Sequence, residues 1–321
     1  MTQENNYKYY LSDDFGTSVE IEKERYEALC KHNQIVLFQL LFEEQYQICK
    51  FNFMEYWQTI FRVSETFRLD CPHNRKSMTM PSLEINQRII NILTSIKSYE
   101  EHIKYKVSKL WGDSSEQIKK YEEIDSSLYD KFFSYRFFKR LRNYVQHRDL
   151  PVKCVNYSMM SVGFEPRQIA FTITPIMHKH YLLEFDSWST VKKDLEEQDD
   201  KIDVNLIIEE AFRVFTSLHS KFRGYLLETL EQAHRIITEL YESKEGRSRN
   251  VLYLVKGLGD GAIEHQWVQY DNIEIIKELI GRCPKTEGIN FSTTQPEKYL
   301  RDVSRISSDI RLANMKKKKQ E

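Results

Sequence analysis

Ten glycines and seven prolines are few for a chain of 321 residues, so turns and breaks are sparse and long uninterrupted helices are favoured. Cysteine is scarce too. The five thiols (Cys30, Cys49, Cys71, Cys154 and Cys283) are odd in number, scattered and never at CxxC spacing. That pattern implies neither a disulfide framework nor a zinc site, and it fits a reduced, cytoplasmic setting. The longest apolar stretch, Ile35-Val36-Leu37-Phe38 with Leu40-Leu41-Phe42, falls well short of the ~20 residues that span a bilayer, so no membrane partner is expected. The polar opening MTQENNYKYYLSDDFG does not read as a secretory leader. Net charge is also lacking, at −1. Nothing attracts nucleic acid globally, and an RNA-binding surface would have to be a local patch.

What the chain does contain is 40% hydrophobic residues, 13% aromatics and 30% charged residues, enough apolar surface to bury a core. Residues from about Val19 to Arg62 read as one or two long helices. The polar stretch Asp70-Cys71-Pro72-His73-Asn74-Arg75 breaks the pattern, because Pro72 stops a helix. Pro81-Ser82 is expected to open another, whose stripe of Ile85, Ile89, Ile92, Ile96, Tyr99 and Ile103 has near-heptad spacing. Trp111-Gly112-Asp113-Ser114 ends it, and Asp113 or Ser114 can cap the next helix, from about Ser114 to Asp149. Gln168 to Leu183 alternates like a small β-hairpin or a pair of edge strands. A second long helix is expected from about Val204 to Ser243, then a linker at Lys244 to Ser248, a strand at Val251 to Val255 and a short helix at Asn272 to Gly281. The residues from Asp309, with Lys316 to Lys319, read as a charged tail.

The segment Arg142-Asn143-Tyr144-Val145-Gln146-His147 stands out chemically. It places a guanidinium, a carboxamide and an imidazole at the end of a helix, just before Pro151 biases Leu150 out of helical geometry. RNA carries its own nucleophile, the 2′-hydroxyl, so a ribonuclease can work by moving protons and stabilising the phosphate. His147 can take or give the proton, Arg142 can stabilise charge on the phosphoryl oxygens, and Asn143 can orient either group. At ~100° per residue, Arg136, Arg140, Asn143 and His147 fall within about 60° of one another, while Arg142 lies about 140° from His147. A second chain could complete the set. Between Arg136 and Lys153 the bases Arg136, Lys139, Arg140, Arg142, Arg148 and Lys153 face one acid, Asp149, so Arg136, Arg140 and Arg148 are candidate RNA-binding residues. The plain structural alternative is that Arg142 and His147 simply favour the negative end of a helix dipole.

An arginine, then Asn, Asp or His, then three to five residues and a histidine, late in a helical bundle, resembles the HEPN superfamily (higher eukaryotes and prokaryotes nucleotide-binding). Arg142, Asn143 and His147 match its motif residue by residue, and Arg148-Asp149-Leu150-Pro151-Val152 looks like the continuation in large bacterial HEPN-like proteins. The resemblance covers about residues 19–245, with only the motif being specific. It implies a mainly α, up-and-down helical bundle, here with a small β-hairpin insertion at about 152–188 within a 1–245 domain. A short α/β segment (246–290) and a charged tail (291–321) would follow. It also implies a metal-independent endoribonuclease with no cofactor, active as a homodimer, in a toxin–antitoxin or phage-defence role with RNA and an antitoxin or defence-system partner. The alternative is a non-catalytic helical module that binds nucleotide, RNA or a protein. Some HEPN toxins carry a modifiable tyrosine two places after the histidine. Asp149 stands there in this chain, which argues against that regulation.

Two other features are weighed lower. Gly257-Leu258-Gly259-Asp260-Gly261 lacks the Lys-Ser/Thr of a phosphate-binding loop and reads as a turn. His178 and His180 would share one face of a strand, but no carboxylate or cysteine lies at ligand spacing.

Overall fold

The computed structural model describes residues 7–13, 17–70, 75–162, 168–243, 251–258 and 261–282. These residues are mainly helical, with small antiparallel sheets. The expected linker at 244–248, the tail at 291–321 and the break at Cys71 to Asn74 lie outside them. Strands β1 (Tyr7–Asp13) and β2 (Ser18–Ile21) precede α1 (Lys23–Asp70), whose 48 residues contain neither glycine nor proline. The expected helical start near Val19 is therefore corrected: the Val19 region is a strand. Helix α2 (Arg75–Trp111) begins before Pro81, also contrary to expectation. The amide Pro81 lacks would serve only Ser77, in the opening turns, so one bond is lost rather than the helix. The helix ends at Gly112, whose φ of 99° is the left-handed conformation that glycine adopts without strain.

The expected single helix from Ser114 to Asp149 is two. Helix α3 (Glu116–Lys131) is capped by Ser115, whose Oγ accepts from the amide of Ile118, so neither Asp113 nor Ser114 is the cap. Helix α4 (Phe133–His147) follows Phe132, which is extended at φ −118° and ψ 113°. Strands β3 (Cys154–Val162) and β4 (Gln168–His178) form the hairpin, and β5 (Lys201–Asp203) adds to β4. The hairpin thus starts earlier than the alternation suggested, and α5 (Lys179–Leu183) takes the place of its expected second strand. After α6 (Val191–Glu196) comes α7 (Val204–Glu242), close to its expected bounds. Strands β6 (Val251–Leu258) and β7 (Gly261–Gln269) and helix α8 (Asp271–Gly281) complete the described chain.

The chain divides into two compact units, with boundaries inside helices α1, α2, α3 and α7. One unit holds the sheet β2-β1-β6-β7, in which β1 from the start of the chain pairs antiparallel with β6. Its buried face carries Leu11, Leu252, Leu254 and Val268. Helices hold β7 by side-chain bonds to its backbone: Asn33 donates to the carbonyl of Trp267 at 2.8 Å, and Tyr241 to that of Val268 at 2.5 Å.

The other unit holds β3-β4-β5 and the whole of α4. Within it, Phe53 of α1 stacks on Phe212 of α7 with ring centroids 4.1 Å apart, and Tyr56 donates to Asn205 at 2.5 Å. The buried stripe of α2 begins there with Ile85, Ile89 and Ile92.

Candidate functional site

Helix α4 owes its position to aromatic packing and to one carboxylate. Trp188 is fully buried between Phe137 and Tyr144, with ring centroids 5.3 and 5.8 Å away and rings 15° and 21° from parallel. Its indole N–H donates to the carbonyl of Leu182 at 2.6 Å, so the ring is fixed at both ends. Asp125 of α3 accepts from Tyr135 and Lys139, each at 2.8 Å, which folds α4 back beside α3 despite the break at Phe132. Beyond the helix, the buried carboxamide of Asn86 clamps Val152 in both directions. Its Oδ1 accepts from the amide and its Nδ2 donates to the carbonyl, both at 3.0 Å. The end of α4 is therefore anchored on either side of the motif.

His147 is exposed at the last position of α4, while Arg142 and Asn143 are half-buried. Among the described residues none of these three side chains, nor that of Arg140, makes a hydrogen bond or ion pair. The Nε of Arg142 is buried without a partner. The other bases of the segment are paired. Arg136 meets Asp194 at 2.7 Å and also donates to the carbonyls of Tyr129 and Asp130 in the last turn of α3. Arg148 meets Glu184 at 2.9 Å, Lys139 meets Asp125, and Lys153 meets Asp149. Hydrogen bonding from Lys153 holds the Asp149 carboxyl below the usual carboxylate range. The excess of bases counted between Arg136 and Lys153 is thus largely answered by acids from elsewhere in the chain.

A second polar cluster was not legible from the sequence. Glu43 and His219 are both fully buried. His219 lies between the rings of Phe42 and Tyr46, with centroids 4.2 Å away on each side. Its Nε2 is 3.1 Å from Glu43 Oε2 and its Nδ1 is 3.0 Å from the hydroxyl of Tyr99, while Arg223 donates to both oxygens of Glu43 at 3.2 and 3.1 Å. One neutral tautomer satisfies every group: Tyr99 donates to Nδ1, and Nε2–H donates to Glu43. The available signal was a pair of titratable residues sitting on apolar stripes, His219 between Phe215 and Phe222 and Glu43 between Phe42 and Tyr46. Both being sealed from solvent, the cluster is a structural network rather than a site for a macromolecular substrate.

This network sets an acid dependence. Burial lowers the His219 imidazole below its ordinary range, against the opposing pull of Glu43. Burial alone would raise the Glu43 carboxyl, but the hydrogen bond from His219 and the guanidinium of Arg223 carry it below its ordinary value. Burial lowers His32 and His234 as well. A depressed folded value means that the unfolded chain binds protons first, so stability is full above the ordinary histidine value of ~6.5 and is lost as pH falls below it. His219 alone contributes a slope of up to ~1.4 kcal/mol per pH unit. Urea midpoints should therefore drop between about pH 7.5 and pH 5, and a midpoint that holds or rises over that span would refute the assignment.

His178 and His180 do not share a strand face, because β4 ends at His178 and His180 belongs to α5. Their rings lie 5.6 Å apart, with the Tyr181 ring tilted at 45° and 4.0 Å from that of His180. Among the described residues no three histidine, cysteine or acidic side chains group as a metal site would require. Cys30, Cys49 and Cys154 form no disulfide. No helix among the described residues is long and apolar enough to cross a membrane. Gly257 and Leu258 close β6 and Gly261 opens β7, so the glycine-rich run connects a hairpin. A Cβ at Gly257 would stand 3.1 Å from the carbonyl oxygen of Gly261, a close approach that favours glycine there. Comparison with family models, with curated protein sequences and with solved structures finds no match for this chain.

Proposed function

We propose that this chain is a HEPN-like endoribonuclease, built on an up-and-down helical bundle and acting in the cytoplasm as a homodimer in a toxin–antitoxin or phage-defence setting. The observation that carries the reading is Arg142. A buried guanidinium N–H with no acceptor is costly, and it lies on the same short helix end as an unengaged carboxamide and an open imidazole. The side chain as a whole is half-buried, and its outer N–H groups are the ones a phosphate oxygen would meet.

In the proposed reaction one imidazole, that of His147, takes the 2′-proton as the 2′-oxygen bonds to phosphorus. The bond from phosphorus to the 5′-oxygen breaks, and the leaving oxygen takes a proton from the imidazolium. The products are a 2′,3′-cyclic phosphate and a 5′-hydroxyl, with no net change in protons. Arg142 stabilises the charge on the non-bridging oxygens, and Asn143, one turn before His147, orients the reacting groups. Because Arg142 lies off the face of His147, a second chain is proposed to supply the complementary arginine.

The direct test is cleavage of single-stranded RNA in EDTA by the wild type and by Arg142→Met. The expected result is cleavage by the wild type, a loss of ~10²–10³-fold in the variant, and a melting temperature unchanged or raised, because the substitution removes an unsatisfied donor. Wild-type protein that cleaves none of a varied panel of RNAs, or a variant that simply unfolds, sinks the reading. A second reading, a non-catalytic module binding RNA or a protein, is favoured by the ion pairs that occupy Arg136 and Arg148. RNA binding without cleavage, abolished by charge reversal at Arg140, would select it.

A further inference from the structure

A cleft of about 590 Å³ opens in the unit of the β2-β1-β6-β7 sheet, between α1 and strands β1, β6 and β7, within the size range of small-ligand sites. It is separate from the motif of α4. Its floor is aromatic: Tyr26 is buried, and the half-buried ring of Tyr9 lies tilted on it, with centroids 4.9 Å apart. Beside them Cys30 is held protonated by burial, so the thiol acts as floor rather than nucleophile.

The walls divide into groups already engaged and groups left open. Glu264 is held by Lys256 at 3.6 Å, and Lys256 also lies 4.5 Å from the centroid of the Tyr7 ring. Glu27 is answered by Lys23 at 3.8 Å. Among the described residues, Lys31 has no acid partner, and the carboxamides of Gln34 and Gln266 make no hydrogen bond; His265 alternates with Glu264 and Gln266 along β7 and so carries its ring on the other face of the sheet. Lys31 and Gln34 follow Glu27 at helical steps of four and seven and so share its face of α1. The cleft thus offers a ligand one free ammonium, two amides that each donate and accept, and an aromatic surface.

We propose that the cleft binds a nucleotide, its base over Tyr9 and edged by Gln34 and Gln266, its phosphate on Lys31. A planar hydrogen-bonding body carrying an anion matches each open group, whereas a simple anion would use only the ammonium. The source is either a free nucleotide or one residue of an RNA chain.

The test is calorimetric titration of the full chain with AMP, GMP, CMP, UMP, a short single-stranded oligoribonucleotide and orthophosphate. At least one mononucleotide should bind, with orthophosphate ~10-fold weaker or worse, and Lys31→Glu and Tyr9→Ala should each weaken it ~10-fold, the equivalent of one good polar contact. Competition by the oligoribonucleotide assigns the site to an RNA chain, and its absence assigns the site to free nucleotide. His147→Ala should leave binding unchanged, so this proposal and the ribonuclease reading fail separately. Nucleotides that bind no better than orthophosphate, or binding indifferent to both cleft variants, overturn it.

Discussion

Replacing His147 by alanine is expected to reduce cleavage of single-stranded RNA by ~10²–10⁴-fold, the range of a lost general acid–base group, with the fold intact. The two halves of that expectation come from different observations. His147 is exposed at the last position of α4 and makes no hydrogen bond or ion pair among the described residues. Removing it takes away no packing, and at most a helix-end charge interaction of ~0.3–1 kcal/mol. Thermal unfolding should therefore barely move while turnover collapses. Because Arg142 and the anchoring contacts around Trp188 and Asn86 remain in place, RNA affinity should survive and the loss should appear in kcat rather than KM. Equal cleavage by wild type and variant would remove His147 from the chemistry. A large fall in stability would make it a structural residue instead.

The second large effect concerns the core. Arg223→Ala should destabilise the protein by about 3–5 kcal/mol, because it strips the guanidinium from a carboxylate held in the interior. Glu43 is fully buried, and Arg223 is the group that donates to both of its oxygens. With the guanidinium gone, only His219 would still oppose the burial that pushes the Glu43 carboxyl upward, so the stability that Glu43 holds above its ordinary value should shrink. The double replacement Glu43→Gln with Arg223→Met removes both charges and should recover much of the loss. Chemical denaturation of the singles and the double measures this directly. A cost below ~1 kcal/mol for Arg223→Ala would show that the pair is screened like a surface bridge.

Much of the helical framework could be read residue by residue. The scarcity of glycine and proline announced long helices, and α1 runs 48 residues without either. The stripe from Ile208 to Leu240 fixed α7 almost to its ends, because apolar residues at helical spacing have one way to be buried together. Gly112 marked the end of α2 because a left-handed residue is needed there and glycine adopts it freely. Three features were hidden. The break at Phe132 occurs among aromatic residues with no breaker, and it depends on Asp125 drawing Tyr135 and Lys139 back toward α3. The polar residues of β1 give no clear strand signal until β6, more than two hundred residues later, supplies the partner backbone. The segment Lys179 to Leu183 alternates like a strand but becomes helical as it leads toward Trp188, which seals the face of α4.

The candidate site divides in the same way. The sequence by itself determined which groups stand at the end of α4: an arginine, an asparagine and a histidine at fixed helical angles, ahead of a proline that ends the helix. Local covalent geometry and the 3.6-residue turn suffice for that. Only the tertiary structure decided which of the neighbouring bases are available. Asp194, Glu184 and Asp125 lie far from the motif helix in the chain or on another element, yet fold onto Arg136, Arg148 and Lys139. They leave Arg140, Arg142, Asn143 and His147 open. Tertiary packing also joined Glu43 to His219 across 176 positions. Charge pairing depends on distance in space, and distance along the chain carries almost no information about it once the helices have folded.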